Sequence, residues 1–203
     1  MTSPVHAQAV VLAGGRSSRL GGTPKALLRA VETGPTLVES TVGDLVAAGL
    51  NTDDVVVVGP PELPPMPALR TREEPPFAGP AAGIVAGLRA LQAAGGTAPW
   101  TLLLACDMPR VGQAITALLG AAQEAQPDVR GIVVVDDGRL QPLAAIYRSA
   151  ALLETVTDQP SVNRSVRSLV GTLWDRQLTL TGATDDVDTW DDVERFGLRP
   201  PQD

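Results

Sequence analysis

Apolar positions along this chain fall into short runs separated by helical stripes, and that alternation predicts an architecture. Ala7 to Ala13 (AQAVVLA) is an apolar run ending in Gly-Gly and reads as a buried strand. Asp54 to Gly59 (DVVVVG) and Trp100 to Ala105 (WTLLLA) have the same character. Between them, Leu37 to Ala48 sets Leu37, Val38, Val42, Leu45 and Val46 along one helical stripe, and Ala81 to Ala94 sets Ile84, Leu88 and Leu91 along another. Val111 to Ala125 is a third helix candidate. Strands alternating with helices imply βαβ units and a mainly parallel sheet.

The second half changes pattern. Gly131 to Asp136 and Leu140 to Tyr147 flank Asp137-Gly138, a two-residue hairpin signal, so an antiparallel strand is expected late in the sheet. Short helices are expected near Ser149 to Val156 and Arg164 to Leu169, followed by a strand near Gln177 to Leu180. Thr189 with Asp192 three positions on resembles a capping box opening a last helix. Gly59 to Pro76 holds seven prolines and reads as a loop or edge connection.

Length and composition narrow the chemistry. A chain of 203 residues fits one α/β domain and needs no covalent staple. One cysteine, Cys106, closes no internal disulfide and builds no thiolate zinc site. One histidine, His6, excludes His-pair metal motifs, and a Ser-His-Asp triad would have to use it. No apolar run reaches the roughly 20 residues of a membrane span. The N-terminus lacks a basic region ahead of its apolar run, so a cytoplasmic protein is expected. The net charge of -7 argues against a broad nucleic-acid surface. An acidic protein still binds a polyphosphate where cations and backbone N–H groups gather at one spot.

Such a spot follows the first strand. Gly14-Gly15 with small polar neighbours lets backbone N–H groups approach an anion, and Arg16, Arg19 and Lys25 add three cations within ten residues. Of the 16 basic residues, Lys25 alone is a lysine, and a compact ammonium suits a crowded polyphosphate better than a planar fork. The loop is neither a Walker sequence nor G-x-G-x-x-G.

LAGGRSSRLGGTPKALL resembles the signature L-A-G-G-x-S-x-R-M-G-x-x-K-x-x-L of the molybdenum cofactor guanylyltransferases. Further similarities follow in order. Gly79-Pro80-Ala81-Ala82-Gly83 resembles G-P-L-A-G, and Cys106-Asp107-Met108-Pro109 matches C-D-M-P. Gln141-Pro142-Leu143 with Tyr147-Arg148, the stretch Asn163 to Leu169, and Asp188-Thr189-Trp190-Asp191-Asp192 resemble later elements of the family. Departures include Ala81 in place of a Leu, Gly59-Pro60 in place of an Asn after the second strand, Glu73 where Asp is common, and Trp190 in place of a Pro.

The resemblance implies a Rossmann-like α/β fold of the three-layer nucleotide-diphospho-sugar transferase type, mostly parallel with one antiparallel strand, over a single nucleotidyltransferase domain at 1–203. It implies a Mg²⁺-dependent transfer of GMP from GTP to molybdenum-molybdopterin with release of pyrophosphate, in a monomer or small homo-oligomer. Asp107 follows a buried strand, and ligands of open α/β sheets bind at such strand ends. A carboxylate there holds Mg²⁺ or caps the next helix. A second metal ligand would come from Asp186 or Asp188, the resemblance favouring Asp188 and the capping box offering a helix-start role instead. Lys25 is assigned to the phosphates with Arg19 assisting, while Arg16 is either a phosphate ligand or a solvent-exposed residue.

Leu12, Ala13, Gly14, Gly15, Arg16, Ser17, Ser18 and Lys25 are the candidate nucleotide-binding residues of the loop. Glu73, Gly79, Pro80 and Gly83 complete that set, since Gly79 to Gly83 opens a helix whose free N–H groups could approach a base, or packs closely for structural reasons. The resemblance assigns Gly-Pro in this segment to guanine and so, with Ala13 before Gly14-Gly15, favours GTP, the alternatives being CTP with the same acceptor or another small phosphate as acceptor. Gln141, Arg148, Arg164 and Arg167 are acceptor-binding candidates, or for the arginines a solvated face. Cys106 is expected to be buried beside the metal and His6 to face solvent. A reading of another class is a non-catalytic nucleotide-binding module, which would not need both Lys25 and Asp107.

Overall fold

The computed structural model describes residues 5–15, 17–157 and 161–201. Seven strands form one sheet in the order β3-β2-β1-β4-β6-β5-β7. They are β1 (Ala7–Leu12), β2 (Val55–Val58), β3 (Leu69–Thr71), β4 (Trp100–Ala105), β5 (Gly131–Asp136), β6 (Arg139–Arg148) and β7 (Arg176–Leu180). β6 runs antiparallel to both β4 and β5, and the other neighbouring pairs are parallel. The helices are α1 (Leu37–Ala47), α2 (Pro80–Ala93), α3 (Val111–Gln123), α4 (Ser149–Thr157), α5 (Val166–Val170) and α6 (Trp190–Arg195).

Successive strand side chains point to opposite faces, so a continuous apolar run feeds two cores at once. Ala9, Val11, Val55, Val57, Leu102 and Leu104 pack beneath α1 and α3. Val10, Val56, Val58, Leu103 and Val133 pack beneath α2, α4 and α5 on the other face. Three layers result. This is why the central strands read as unbroken apolar runs rather than as an alternation.

The expected hairpin forms, with Asp137 and Gly138 at φ 51° and 73°, the left-handed pair that a type I′ turn demands. Thr189 and Asp192 form the expected capping box of α6. Three details differ. Val46, assigned to the buried stripe of α1, is 42 % exposed, because Leu37, Val38, Thr41, Val42 and Leu45 make the buried face and Val46 falls at its edge. The helix expected from Arg164 begins at Val166, because the Ser165 hydroxyl accepts the Ser168 N–H and sets the boundary. The proline-rich connection contains β3, a three-residue edge strand. Among the described residues, no helix is long and apolar enough to cross a membrane.

A third, smaller cluster lies off the sheet: Leu20, Leu28, Leu37, Val187, Val193 and Leu198. It ties the loop after β1 to the segment before α6. Backbone hydrogen bonds between Arg29 and Arg199, at 3.1 and 2.8 Å, close the same junction.

Candidate active site

β1 and β4 are adjacent and parallel, with Leu12 opposite Ala105, and the Cys106 N–H donates to the Leu12 carbonyl at 3.1 Å. From this pair the order runs outward through β2 on one side and β6 on the other, which is the switch point where open α/β sheets hold ligands. A cleft of about 610 Å³ opens there. The loop after β1 and Asp107 after β4 therefore start side by side at its floor.

The loop is shaped from within. Ser17 adopts a left-handed conformation and its carbonyl accepts N–H groups from Leu20 and Gly22, closing a tight turn. Leu20 and Leu28, both buried in the small cluster, pin the loop on either side of Lys25. Among the described residues, no atom beyond the chain neighbours lies within 4 Å of a Cβ built on Gly14 or Gly15, so packing there does not call for glycine. Both line the open cleft.

Lys25 sits at the centre of a charge network. Its ammonium donates to the Asp107 carboxylate at 3.1 Å and also to Asp188, whose other oxygen accepts from Arg19 at 2.6 Å. Asp188 arrives because the Val187 N–H donates to the Asp107 carbonyl at 2.9 Å and the Val187 side chain is fully buried. Thr189 and Asp192 make the cap of α6, which leaves the Asp188 carboxylate for Lys25 and Arg19. Asp186 lies on the same side, and Asp107, Asp186 and Asp188 each offer an oxygen within 4.8 Å of the others.

The electrostatics follow from these distances. Burial works against the Lys25 ammonium, but hydrogen bonds to Asp188 and Asp107 outweigh it and hold its pKa above the ordinary lysine value. Asp186 is exposed, and partial desolvation of its carboxyl, then the charges of Asp107 and Asp188, push it up. Cys106 is buried, and burial and the Asp107 charge push its thiol far up, so no thiolate is on hand.

The structure gathers most of the residues named from the sequence. Leu12, Ala13, Gly14, Gly15, Ser17, Ser18, Arg19 and Lys25 line the cleft with Asp107 and Asp188. Glu73, Gly79, Pro80 and Gly83 line the same cleft. Gly79 has φ 95°, and a Cβ there would lie 3.7 Å from the Asn163 Cα, so the loop before α5 rests against the opening of α2. Gly83 has a packing reason as well, since a Cβ would come within 3.1 Å of Leu12. Arg16 lies outside the described residues. Arg72 and Phe77 also line the cleft and were not singled out from the sequence. The signal was a cation and an aromatic flanking Glu73, hidden in a run dominated by proline.

The acceptor candidates scatter. Arg148 does not join the cleft: it pairs with Trp100 at the start of β4, whereas Asp107 follows that strand's end, and its guanidinium stacks over the Trp100 ring at 4.0 Å. The physical reason is direction, since β6 is antiparallel and its last residue lands at the opposite rim. Arg164 donates to the Ser168 hydroxyl and carbonyl at 2.9 and 2.7 Å, and Arg167 lies over Trp174. Gln141 sits at the β5–β6 irregularity, two residues from the cleft-lining Leu143. His6 is exposed, as expected.

Residues 9–177 match the family model described as MobA-like NTP transferase domain. The chain belongs to that family. It is a nucleotidyltransferase, α/β in fold with a mostly parallel sheet. A Chloroflexus aggregans protein named probable molybdenum cofactor guanylyltransferase is 35 % identical over 156 residues, covering 73 % of this chain and 70 % of its own. The Cupriavidus necator protein named molybdenum cofactor guanylyltransferase is 35 % identical over 153 residues, covering 70 % and 71 %. The crystal structure of molybdopterin-guanine dinucleotide biosynthesis protein A from Archaeoglobus fulgidus superposes with a TM-score of 0.64 at 18 % identity, over 94 % of this chain and 96 % of that one, a likeness of fold.

Proposed function

We propose that this MobA-like NTP transferase joins GMP from GTP to the terminal phosphate of molybdenum-molybdopterin and releases pyrophosphate. The supporting observation is one cleft lined both by the charge network of Lys25, Arg19, Asp107 and Asp188 and by the Gly79-Pro80 helix opening. Relatives named molybdenum cofactor guanylyltransferase supply the acceptor's identity.

The donor set suits Mg²⁺. Asp107, Asp186 and Asp188 offer carboxylate oxygens within 4.8 Å of one another, and hard cations take oxygen ligands. Asp107 and Asp188 would hold the ion, with Asp186 as a third ligand. When bound, it would neutralise triphosphate charge and polarise the phosphoryl oxygens.

The chain's own groups do the rest. Backbone N–H groups around Gly14 and Gly15 cradle the triphosphate, with Ser17, Ser18 and, in this reading, Arg16 alongside. Lys25 and Arg19 exchange their carboxylate partners for phosphate oxygens and take up the charge that builds on the leaving pyrophosphate. An ionised oxygen of the acceptor's phosphate forms a bond to the α-phosphorus as the bond from that phosphorus to the β-phosphate's bridging oxygen breaks. That oxygen is already charged near neutral pH, so no protein base or nucleophile is required, in keeping with the protonated thiol of Cys106. Gly79 and Pro80 receive the guanine, with Glu73 and Gly83 beside it. Gln141, Arg164 and Arg167 remain as acceptor contacts; Arg148 does not.

The test follows pyrophosphate release with molybdenum-molybdopterin, Mg²⁺ and either GTP or CTP. Release with GTP and not with CTP is the expected outcome. Release with CTP instead would make the chain a cytidylyltransferase, and GTP binding without turnover on any phosphate acceptor would overturn the catalytic reading.

A further inference from the structure

Asp136 closes β5 as a carboxylate that is only 5 % exposed. Its partners belong to a single turn 46 to 48 positions later in the chain. The Gly182 N–H donates to one oxygen at 2.9 Å. The Thr184 N–H and the Thr184 hydroxyl donate to the other at 3.0 and 2.9 Å. Burial works against ionisation, but the N–H groups of Gly182 and Thr184 and the Thr184 hydroxyl outweigh it and hold the carboxyl below the usual carboxylate range.

That turn leads directly into Asp186, Val187 and Asp188. Downstream the segment is fixed twice more, by the Val187 N–H on the Asp107 carbonyl and by the Asp188 N–H on the Asp192 carboxylate at 3.1 Å. Upstream, the turn follows β7, whose last residue Leu180 pairs with Asp136, and the Asp136 side chain adds a second tie, to the turn itself. An ionised carboxylate is the residue type this requires, because the turn presents donors to both oxygens. An amide offers one acceptor oxygen and turns its own N–H groups against the remaining donors.

We infer that Asp136 is a positioning residue for the acidic site, fixing the 182–184 turn and, through it, the placement of Asp186 and Asp188 opposite Asp107. It acts through the turn and touches no substrate. The inference rests on the reading of Asp186 and Asp188 as metal ligands.

The test compares the full chain with its Asp136→Asn and Thr184→Val variants, using Mn²⁺ binding followed by electron paramagnetic resonance and backbone amide hydrogen exchange. Asp136→Asn is expected to weaken Mn²⁺ binding about 10- to 100-fold, in the range of outer-shell substitutions at metal sites. Exchange should quicken within residues 182–188 while the strands keep their protection. Thr184→Val removes one of the three bonds and is expected to shift both readouts in the same direction by less, which keeps the test decisive if Asp136→Asn does not fold. Unchanged Mn²⁺ affinity in a folded Asp136→Asn variant, or in Thr184→Val where Asp136→Asn does not fold, overturns the inference. Absence of Mn²⁺ uptake by the unsubstituted chain sinks the metal reading instead, and the exchange data then report separately on whether Asp136 anchors the turn.

Discussion

The Lys25 ammonium stands 3.1 Å from the Asp107 carboxylate, although 82 positions separate them in the chain. Register brings them together: β1 and β4 end opposite each other, and each residue follows one of those ends. Two cations, Lys25 and Arg19, are thereby held against carboxylates of Asp107 and Asp188. In the proposed mechanism this network exchanges partners, its cations passing to phosphate and its carboxylates to metal.

Removing either member of the pair should therefore stop turnover without unfolding the protein. Lys25→Ala and Asp107→Ala are each expected to lower kcat by about 10²–10³-fold or more, the scale of losing one preorganised charge-stabilising group. Circular dichroism should remain that of the parent. Lys25→Arg should not restore the rate, because a planar fork does not replace a point charge in a crowded site.

Asp186 carries a pH signature with a definite sign. Partial desolvation of this exposed residue, then the charges of Asp107 and Asp188, raise its pKa, so the folded chain holds that proton more tightly than the unfolded chain. Ionising it costs stability, and the cost grows as pH rises from the ordinary carboxylate value of 3.8 through the raised one. Asp186→Asn is expected to raise Tm at pH 7 to 8 and to lose that advantage below the ordinary value. The same substitution should raise the Mg²⁺ concentration needed for half-maximal rate. Thermal melts across pH and a metal titration check both halves.

Arg148 offers a contrast. It stacks on Trp100 and donates to the Val129 and Gln126 carbonyls at the rim away from the cleft. Arg148→Ala should leave the KM for acceptor unchanged and lower stability by about 0.5–1 kcal/mol from the lost ring contact. Steady-state kinetics beside a denaturant melt separates these effects.

Cys106 should behave as an inert core residue. Burial, then the nearby Asp107 charge, pushes its thiol far above the ordinary value, so almost no thiolate exists at neutral pH. Iodoacetamide is expected to leave the native protein unmodified and active, and to alkylate it only in denaturant, as mass spectrometry would show.

Much of this was legible beforehand because the strongest signals are local. The buried strands announced themselves as apolar runs such as WTLLLA, and Asp137-Gly138 marked its hairpin because two successive left-handed residues favour that pair. The loop from Leu12 to Lys25 could be read because glycines and cations are concentrated within a few positions. What escaped depends on contacts between distant segments. Arg148 sits in a motif-like stretch, but the antiparallel run of β6 carries it to the far rim. Asp136 read as a strand end before a turn, and its partners at Gly182 and Thr184 exist only once β5 and β7 pair. Phe77 reached the cleft through a left-handed conformation at φ 63° that no local pattern around it specified.

The most direct measurement is a crystal structure of the chain with Mg²⁺ and a non-hydrolysable GTP analogue. The expected result has Lys25 Nζ within hydrogen-bonding distance of a phosphate oxygen and Asp107 ligating the metal on that same triphosphate. A triphosphate bound out of reach of either group would contradict the shared-site mechanism.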